Sequence, residues 1–319
     1  VAEALAALQG CERATLAPST MHLFWDLFGI LASDRVAVYM DAGTYPIARW
    51  GVERAAARGV PVRSFPHHNA EALQQHLKQD ARRRLRPLIV ADGFCPGCGV
   101  TVPIADYVEC ARAFGGQVIL DDTQALGIFG QSPGADAPYG RGGGGMLRWS
   151  QIEGPDVLVI SSLAKGFGAP VAVLSGSQAM VERFEAKSET RVHTSPASLA
   201  VIHAAEQALA VNREQGDGLR LRLARLVRHF RSRLARAGLA ATGGLFPVQT
   251  LAPVPDLEAV MLHQRLLERG VRTVLHHARN GHGARLSFLI TTNHQPDEMD
   301  RVVNALADAA RKTGEKIIL

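Results

Sequence analysis

A lysine and an aspartate, each set just beyond an apolar run, are the residues of this sequence best suited to chemistry. In Asp156-Val-Leu-Val-Ile-Ser-Ser-Leu-Ala-Lys165-Gly-Phe-Gly-Ala-Pro170, a run of buried-strand character ends in two hydroxyls and delivers one lysine among small residues and glycines. A lysine walled in this way is poorly hydrated, which disfavours the ammonium form and frees the amine as a nucleophile or Schiff-base former. Taken alone, the stretch fits an exposed lysine in a strand-to-loop turn equally well. In Ile119-Leu-Asp121-Asp122-Thr-Gln124-Ala-Leu-Gly127 a second run ends on acids. An acid there is costly unless a cation pairs with it or the mouth of a site exposes it, and a buried structural acid is the other reading.

Together the two strand ends match the needs of one cofactor. Pyridoxal 5'-phosphate requires a lysine to hold it covalently and an acid to keep its ring nitrogen protonated, so that the ring can withdraw electrons.

The elements that must position these residues alternate along the chain. Segments 35–40, 60–63, 87–91, 117–121, 156–160 and 170–174 read as strands, with helices between them over 45–58, 70–83 and 103–115 and a loop-rich excursion over 130–150. Asn69 is placed to cap the second helix and Pro103 to open the third. Doubly apolar strands in this rhythm predict an α/β fold: a three-layer α/β/α domain with a mostly parallel sheet, whose ligands sit beyond the carboxyl ends of the strands. Two long helical patterns follow, over 196–212 and 219–237. A smaller α+β unit then has strands at 248–251, 271–274 and 284–290, a helix over 256–269 and a terminal helix from 296. The predicted division is 1–215 and 216–319, with the change near Gly216. The glycine-rich stretch 139–149 lacks both the GK[ST] ending of a P-loop and the setting of a dinucleotide site, and reads as a loop or lid.

At 319 residues, 47% hydrophobic and 20% charged, the chain has the composition of a globular enzyme with a sizeable core. Its net charge of +5 comes from arginines dispersed on helical patterns such as 219–231, a solvated face rather than a nucleic-acid footprint. No apolar run approaches the roughly 20 residues that span a bilayer, and no signal peptide opens the chain, so a cytoplasmic protein is expected. The first residue is Val, which suggests that upstream residues are missing through processing or disorder. Four cysteines, Cys11, Cys95, Cys98 and Cys110, form no disulfide framework, and the single CxxC at Cys95 and Cys98 lacks the second pair of a structural zinc site, so no metal is expected. His67, His68, His276, His277 and His282 have no metal-ligand spacing and read as loop or capping residues.

The order Asp92-Gly-Phe-Cys95, then 103–114, then Leu120-Asp121-Asp122-Thr-Gln-Ala-Leu-Gly-Ile-Phe-Gly130, then Ser161-Ser-Leu-Ala-Lys-Gly-Phe-Gly168 resembles the α-oxoamine synthases, fold-type I pyridoxal-phosphate enzymes, over nearly the whole chain. The resemblance implies that Lys165 is the Schiff-base lysine, Asp121 the partner of the ring nitrogen and Ser162 a phosphate ligand. Thr20 and Met21 fall where the family has a phosphate-binding turn before a helix, whose amides and dipole suit an anion. Gln124 replaces a histidine that touches the cofactor's phenolic oxygen, and Cys95 replaces a serine near the same oxygen. The ring-stacking histidine falls near Thr44, with Tyr45 beside it as a further aromatic. The carboxylate-binding arginine falls on Ser287, leaving Arg285 one step away on the same strand face. The implied reaction condenses an amino acid with an acyl thioester such as acyl-CoA and releases CO2. The altered positions leave room for an aminotransferase, for an aldolase or lyase of the same fold, and, more remotely, for a non-catalytic relative with an assembly or regulatory role. A homodimer is implied, with 192–197 near the partner's cofactor.

Overall fold

The computed structural model describes residues 1–253, 258–277 and 283–314 and divides into two compact units, one of Val1–Cys95 with Thr101–Asp217 and one of Pro96–Val100 with Gly218–Leu319.

The first unit opens with α1 (Ala2–Gln9), β1 (Arg13–Ala17), α2 (Thr20–Leu31), β2 (Val36–Asp41), α3 (Pro46–Ala57), β3 (Val62–Phe65), α4 (Ala70–Asp80) and β4 (Arg86–Asp92). Asn69 caps α4 by accepting from the Ala72 amide, as its position predicts. A short ribbon of β5 (Phe94–Cys95) and β6 (Val100–Thr101) leads to α5 (Ile104–Ala113), β7 (Gln117–Asp121), α6 (Met146–Trp149), β8 (Val157–Ser162), β9 (Ala172–Gly176), α7 (Gln178–Lys187) and α8 (Glu189–His193). Seven strands form one sheet in the order β1-β9-β8-β7-β4-β2-β3. All run parallel except β9, which is antiparallel to both neighbours.

The interior strands are apolar without alternation because both faces are covered. Leu23, Leu27 and Phe28 of α2 pack with Val38, Val90, Ile119 and Leu158. A second cluster joins Leu5 of α1 to Leu163, Val173 and Ala205. This is the expected three-layer arrangement. β1 is not among the strands expected from the sequence, because its five residues carry Arg13 and Thr15 and so lack a clean apolar run.

The two long helical patterns form one helix, α9 (Leu199–Arg236). Gly216 and Gly218 lie within it. A glycine costs a helix interior about 1 kcal/mol, too little to break 38 residues whose ends are anchored by apolar side chains such as Ala205 and Phe230.

In the second unit, β10 (Ala241–Thr242), β11 (Val248–Leu251), β12 (Val274–His277) and β13 (Ala284–Leu289) form an antiparallel sheet ordered β10-β11-β13-β12. The helices α10 (Ala259–Glu268) and α11 (Pro296–Gly314) accompany it, and the rings of Phe230 and Phe288 approach to 5.2 Å. Strand β12 begins three residues later than the apolar pattern from Val271 implies.

Candidate functional site

The carboxyl edge of the first unit's sheet collects the chemistry-bearing residues. Asp92 is opposite Asp121 in the β4–β7 register, and Asp121 is opposite Ile160 in β7–β8. Ser162 pairs with Ala172, which pairs with Ala17, so the end of β1 and the start of α2 reach the same edge as the end of β8. Thr20 and Met21 thus open a 12-residue helix whose free amides point at that edge. Ser19 caps it only in the sense of its extended backbone, its hydroxyl being bonded to His22 Nδ1 at 2.8 Å.

Lys165 occupies a compact turn closed by bonds from the Phe167 and Ala169 amides to the Leu163 carbonyl. It is exposed, as are Ala164 and Gly166 on either side. Of the two readings of this lysine, walled in by small residues or exposed in a strand-to-loop turn, the structure shows the second: those residues leave the amine open. The turn rests on the loop after β7. A Cβ on Gly166 would collide with the Leu126 carbonyl, and one on Gly127, whose φ is +84°, would meet the Gly166 backbone at 3.1 Å.

Asp121 is 8% exposed, and among the described residues no cation pairs with it. Burial raises its pKa, opposed by hydrogen bonds from the hydroxyl and amide of Thr123. Asp122 points to the opposite side of the strand, where Oδ2 accepts from the Met146 amide at 2.9 Å. Burial, and then the charge of Asp121, raise its pKa well above the usual range.

Gln124 is half-buried three residues past Asp121. Cys95 is buried just past Gly93, whose amide bonds the Asp121 carbonyl at 2.8 Å. All four cysteines are free of disulfides.

Thr44 and Tyr45 sit on a turn held from several sides. Thr44 Oγ1 bonds the Val90 carbonyl at 3.3 Å, the Tyr45 amide bonds Asp92 Oδ1 at 3.0 Å, and Arg49 grips the carbonyls of Ala42 and Thr44. Beneath them, buried Asp41 accepts from His67 Nδ1 at 2.6 Å, Tyr107 Oη at 2.9 Å and the amides of Gly43 and His68. Burial would raise the Asp41 pKa, yet the bonds from His68, His67 and Gly43 bring it below the ordinary value. Thr44 is buried, while Tyr45 is the exposed aromatic of the pair. His67 is thus a partner of a buried acid rather than a loop histidine. Asp41 ends an apolar strand as Asp121 does, and that signal marks it as well.

Arg285 and Ser287 lie on β13 of the second unit. Ser287 is 3% exposed, and its hydroxyl is already engaged by Thr250 Oγ1 and His276 Nε2, each at 2.8 Å. Arg285 is half-buried and pairs in register with His276. His282 lies outside the described residues.

A parallel sheet covered by helices, with an open lysine and a buried acid at adjacent strand ends, defines a fold-type I architecture. The sequence profile of the aminotransferase class I and II family matches residues 3–306, and the chain belongs to that family. Within it, the resemblance to α-oxoamine synthases holds. The chain is 29% identical over 308 residues to an 8-amino-7-oxononanoate synthase of Alcanivorax borkumensis, covering 96% of this chain and 75% of the relative. It is 30% identical over 260 residues to that of Sodalis glossinidius, covering 81% of this chain and 63% of the relative. Among solved structures, a serine palmitoyltransferase from S. paucimobilis superposes with a TM-score of 0.83 at 20% identity, over 98% of this chain and 76% of that one. An 8-amino-7-oxononanoate synthase from Francisella tularensis gives 0.75 at 15% identity, over 97% and 86%.

Pyridoxal phosphate fits the residues present. A buried carboxyl lacking a cation suits a protonated ring nitrogen, an open amine suits a carbonyl, and a helix start beside Ser162 suits a phosphate.

Proposed function

We propose that the protein is a pyridoxal-phosphate-dependent acyltransferase of the α-oxoamine synthase type, joining an amino acid to an acyl thioester with loss of CO2. The observation that carries this reading is the pairing of Asp121 and Lys165 at the ends of neighbouring strands β7 and β8, the acid buried without a cation and the amine open. The names of the relatives supply the reaction type.

When bound, the cofactor supplies an electron sink for charge developing at the substrate's α-carbon. Asp121 would hold the proton on the ring nitrogen. Lys165 would anchor the cofactor and, once displaced by the substrate amine, move a proton at the α-carbon through Nζ. Ser162, Thr20 and the amides of Met21 and its neighbours would hold the phosphate. Gln124 and Cys95 would lie near the phenolic oxygen, Gln124 donating a hydrogen bond, and the turn of Thr44 and Tyr45 would cover the ring face. Arg285 is the cation on β13 left to meet a substrate carboxylate, since Ser287 is neutral and engaged. That change keeps an aminotransferase, or an aldolase or lyase, as the second reading. The protein is expected to act as a homodimer in the cytoplasm. Among the described residues no helix is long and apolar enough to cross a membrane.

The test is borohydride reduction of protein incubated with pyridoxal phosphate, followed by peptide mass spectrometry. The cofactor's mass is expected on the peptide containing Lys165 and absent from Lys165→Ala, with CO2 and free thiol released on turnover. Accumulation of the cofactor's amine form would favour an aminotransferase. Protein that takes up no cofactor would overturn the proposal and point to a non-catalytic relative.

A further inference from the structure

A chain of hydrogen bonds connects the turn that carries Lys165 to the carboxyl group of Asp121. The Ala164 amide donates to Ser162 Oγ at 3.3 Å, the Ser162 amide donates to Thr123 Oγ1 at 3.0 Å, and the Thr123 amide donates to Asp121 Oδ1 at 3.1 Å. Thr123 is the link between the two strands. Its hydroxyl has one hydrogen and two lone pairs, and a lone pair is taken by the Ser162 amide. The hydrogen is therefore free to turn toward the acid, and hydrogen bonding from Thr123 favours the charged form of Asp121 against burial.

We propose that Thr123 is a positioning residue that ties the acid of β7 to the lysine turn of β8, fixing the Asp121 carboxylate in the orientation in which it meets a protonated ring nitrogen. The proposal rests on the pyridoxal-phosphate reading above. One residue offers two donors, an amide bonded to Asp121 Oδ1 at 3.1 Å and a hydroxyl whose hydrogen is free to turn to it, to a carboxyl group that has no cationic side chain beside it among the described residues. They are what favours its ionised form against burial, and hydrogen bonds to a charged acceptor are the stronger kind. The backbone amide would remain after substitution. The hydroxyl would not, and with it would go both the second donor available to the acid and the acceptor for Ser162.

The variants that separate these roles are Thr123→Ser, which keeps the hydroxyl, and Thr123→Val, which keeps the shape without it. Thr123→Ala serves if the valine variant does not fold. Each is titrated with pyridoxal phosphate carrying 15N in its ring, reading the dissociation constant and the ring-nitrogen chemical shift, and each is melted without cofactor. Loss of one charge-assisted hydrogen bond is expected to loosen the cofactor about tenfold in Thr123→Val. The ring-nitrogen signal should also move toward its unprotonated position in that variant. Thr123→Ser should bind within about twofold of wild type, with an unmoved signal, because its one-hydrogen hydroxyl restores the link. Wild-type protein that binds no cofactor would overturn the functional reading and this proposal with it. Wild-type uptake, with a valine or alanine variant that keeps the wild-type 15N signal, would overturn the role of Thr123 alone, whatever happens to the melting temperature.

Discussion

Asp121 and Asp122 are the same residue type at consecutive positions, yet the pleat sends them to opposite sides of the sheet and gives them different tasks. Asp121 is stabilised as a charge by Thr123, whereas Asp122 is buried with Oδ2 bonded to the Met146 amide and Oδ1 without a partner, pressed between Gly93 and Gly145. Its raised pKa means that the folded protein keeps a proton where the unfolded chain, near 3.8, has lost it. The stability this group contributes is complete below that value and is lost as pH rises through the raised folded pKa. Asp122→Asn cannot ionise, keeps an oxygen for Met146 and places an amide hydrogen where the acid carries its own. In urea denaturation of cofactor-free protein, the variant should match wild type below about pH 3.8 and exceed it by a growing margin as pH rises from there toward the raised folded pKa. Parallel pH profiles would show that Asp122 does not titrate in the folded state as its burial requires. The placement of Lys165, Asp121 and Ser162 at or just past strand ends was legible in the sequence because each interrupts or ends an apolar run. Thr123 was not, because its partners sit on another strand and meet it only once the β7–β8 register is set. The openness of Lys165 was one of two equal readings, because small neighbours signal a tight turn as readily as a tight pocket.

At the scale of elements, glycines show what local pattern reveals and what it hides. Gly166 and Gly218 look alike in the sequence, each beside polar or small residues. A Cβ on Gly166 would run into the Leu126 carbonyl, while one on Gly218, inside α9, would meet nothing within 4 Å. Gly218→Ala is therefore expected to stabilise the protein by about 0.5–1 kcal/mol through helix propensity, raising the denaturation midpoint. Gly166→Ala must push the Lys165 turn away from the loop after β7. It should lower the midpoint and reduce the cofactor fixed by borohydride, and an alanine there that leaves both unchanged would mean that the two loops do not hold each other. The strands of the parallel sheet were readable because burial on both faces writes a continuous apolar run. β1 was missed because it lies at the sheet edge, where Arg13 pairs with Glu182 and Glu185. The unbroken course of α9 was missed because two glycines weigh heavily in a local reading and little against 38 residues of packing.

For the whole molecule, the alternation of strands and helices made the α/β architecture readable, and the order of motifs did the same for the family. What no single chain writes plainly is its partner. On the first unit, Met21 and Trp25 share a face of α2 at helical spacing, and Trp50 stands on the neighbouring α3; they are 46%, 40% and 45% exposed. Farther along, Val192 and Leu199 are 76% and 77% exposed in a stretch where every residue from 191 to 196 is open to solvent. Large apolar side chains gathered on adjacent helices mark an association surface more often than a free one. A second copy of the chain is the partner that the resemblance implies. Light scattering at micromolar concentration should then give a mass near twice 34.2 kDa. Charges placed at two of these exposed positions, Trp50→Glu with Leu199→Glu, leave the core untouched and should shift the protein toward monomer with the melting of the single chain preserved. If the wild-type chain scatters as a monomer, or the double variant stays a dimer, the subunits do not meet through these positions.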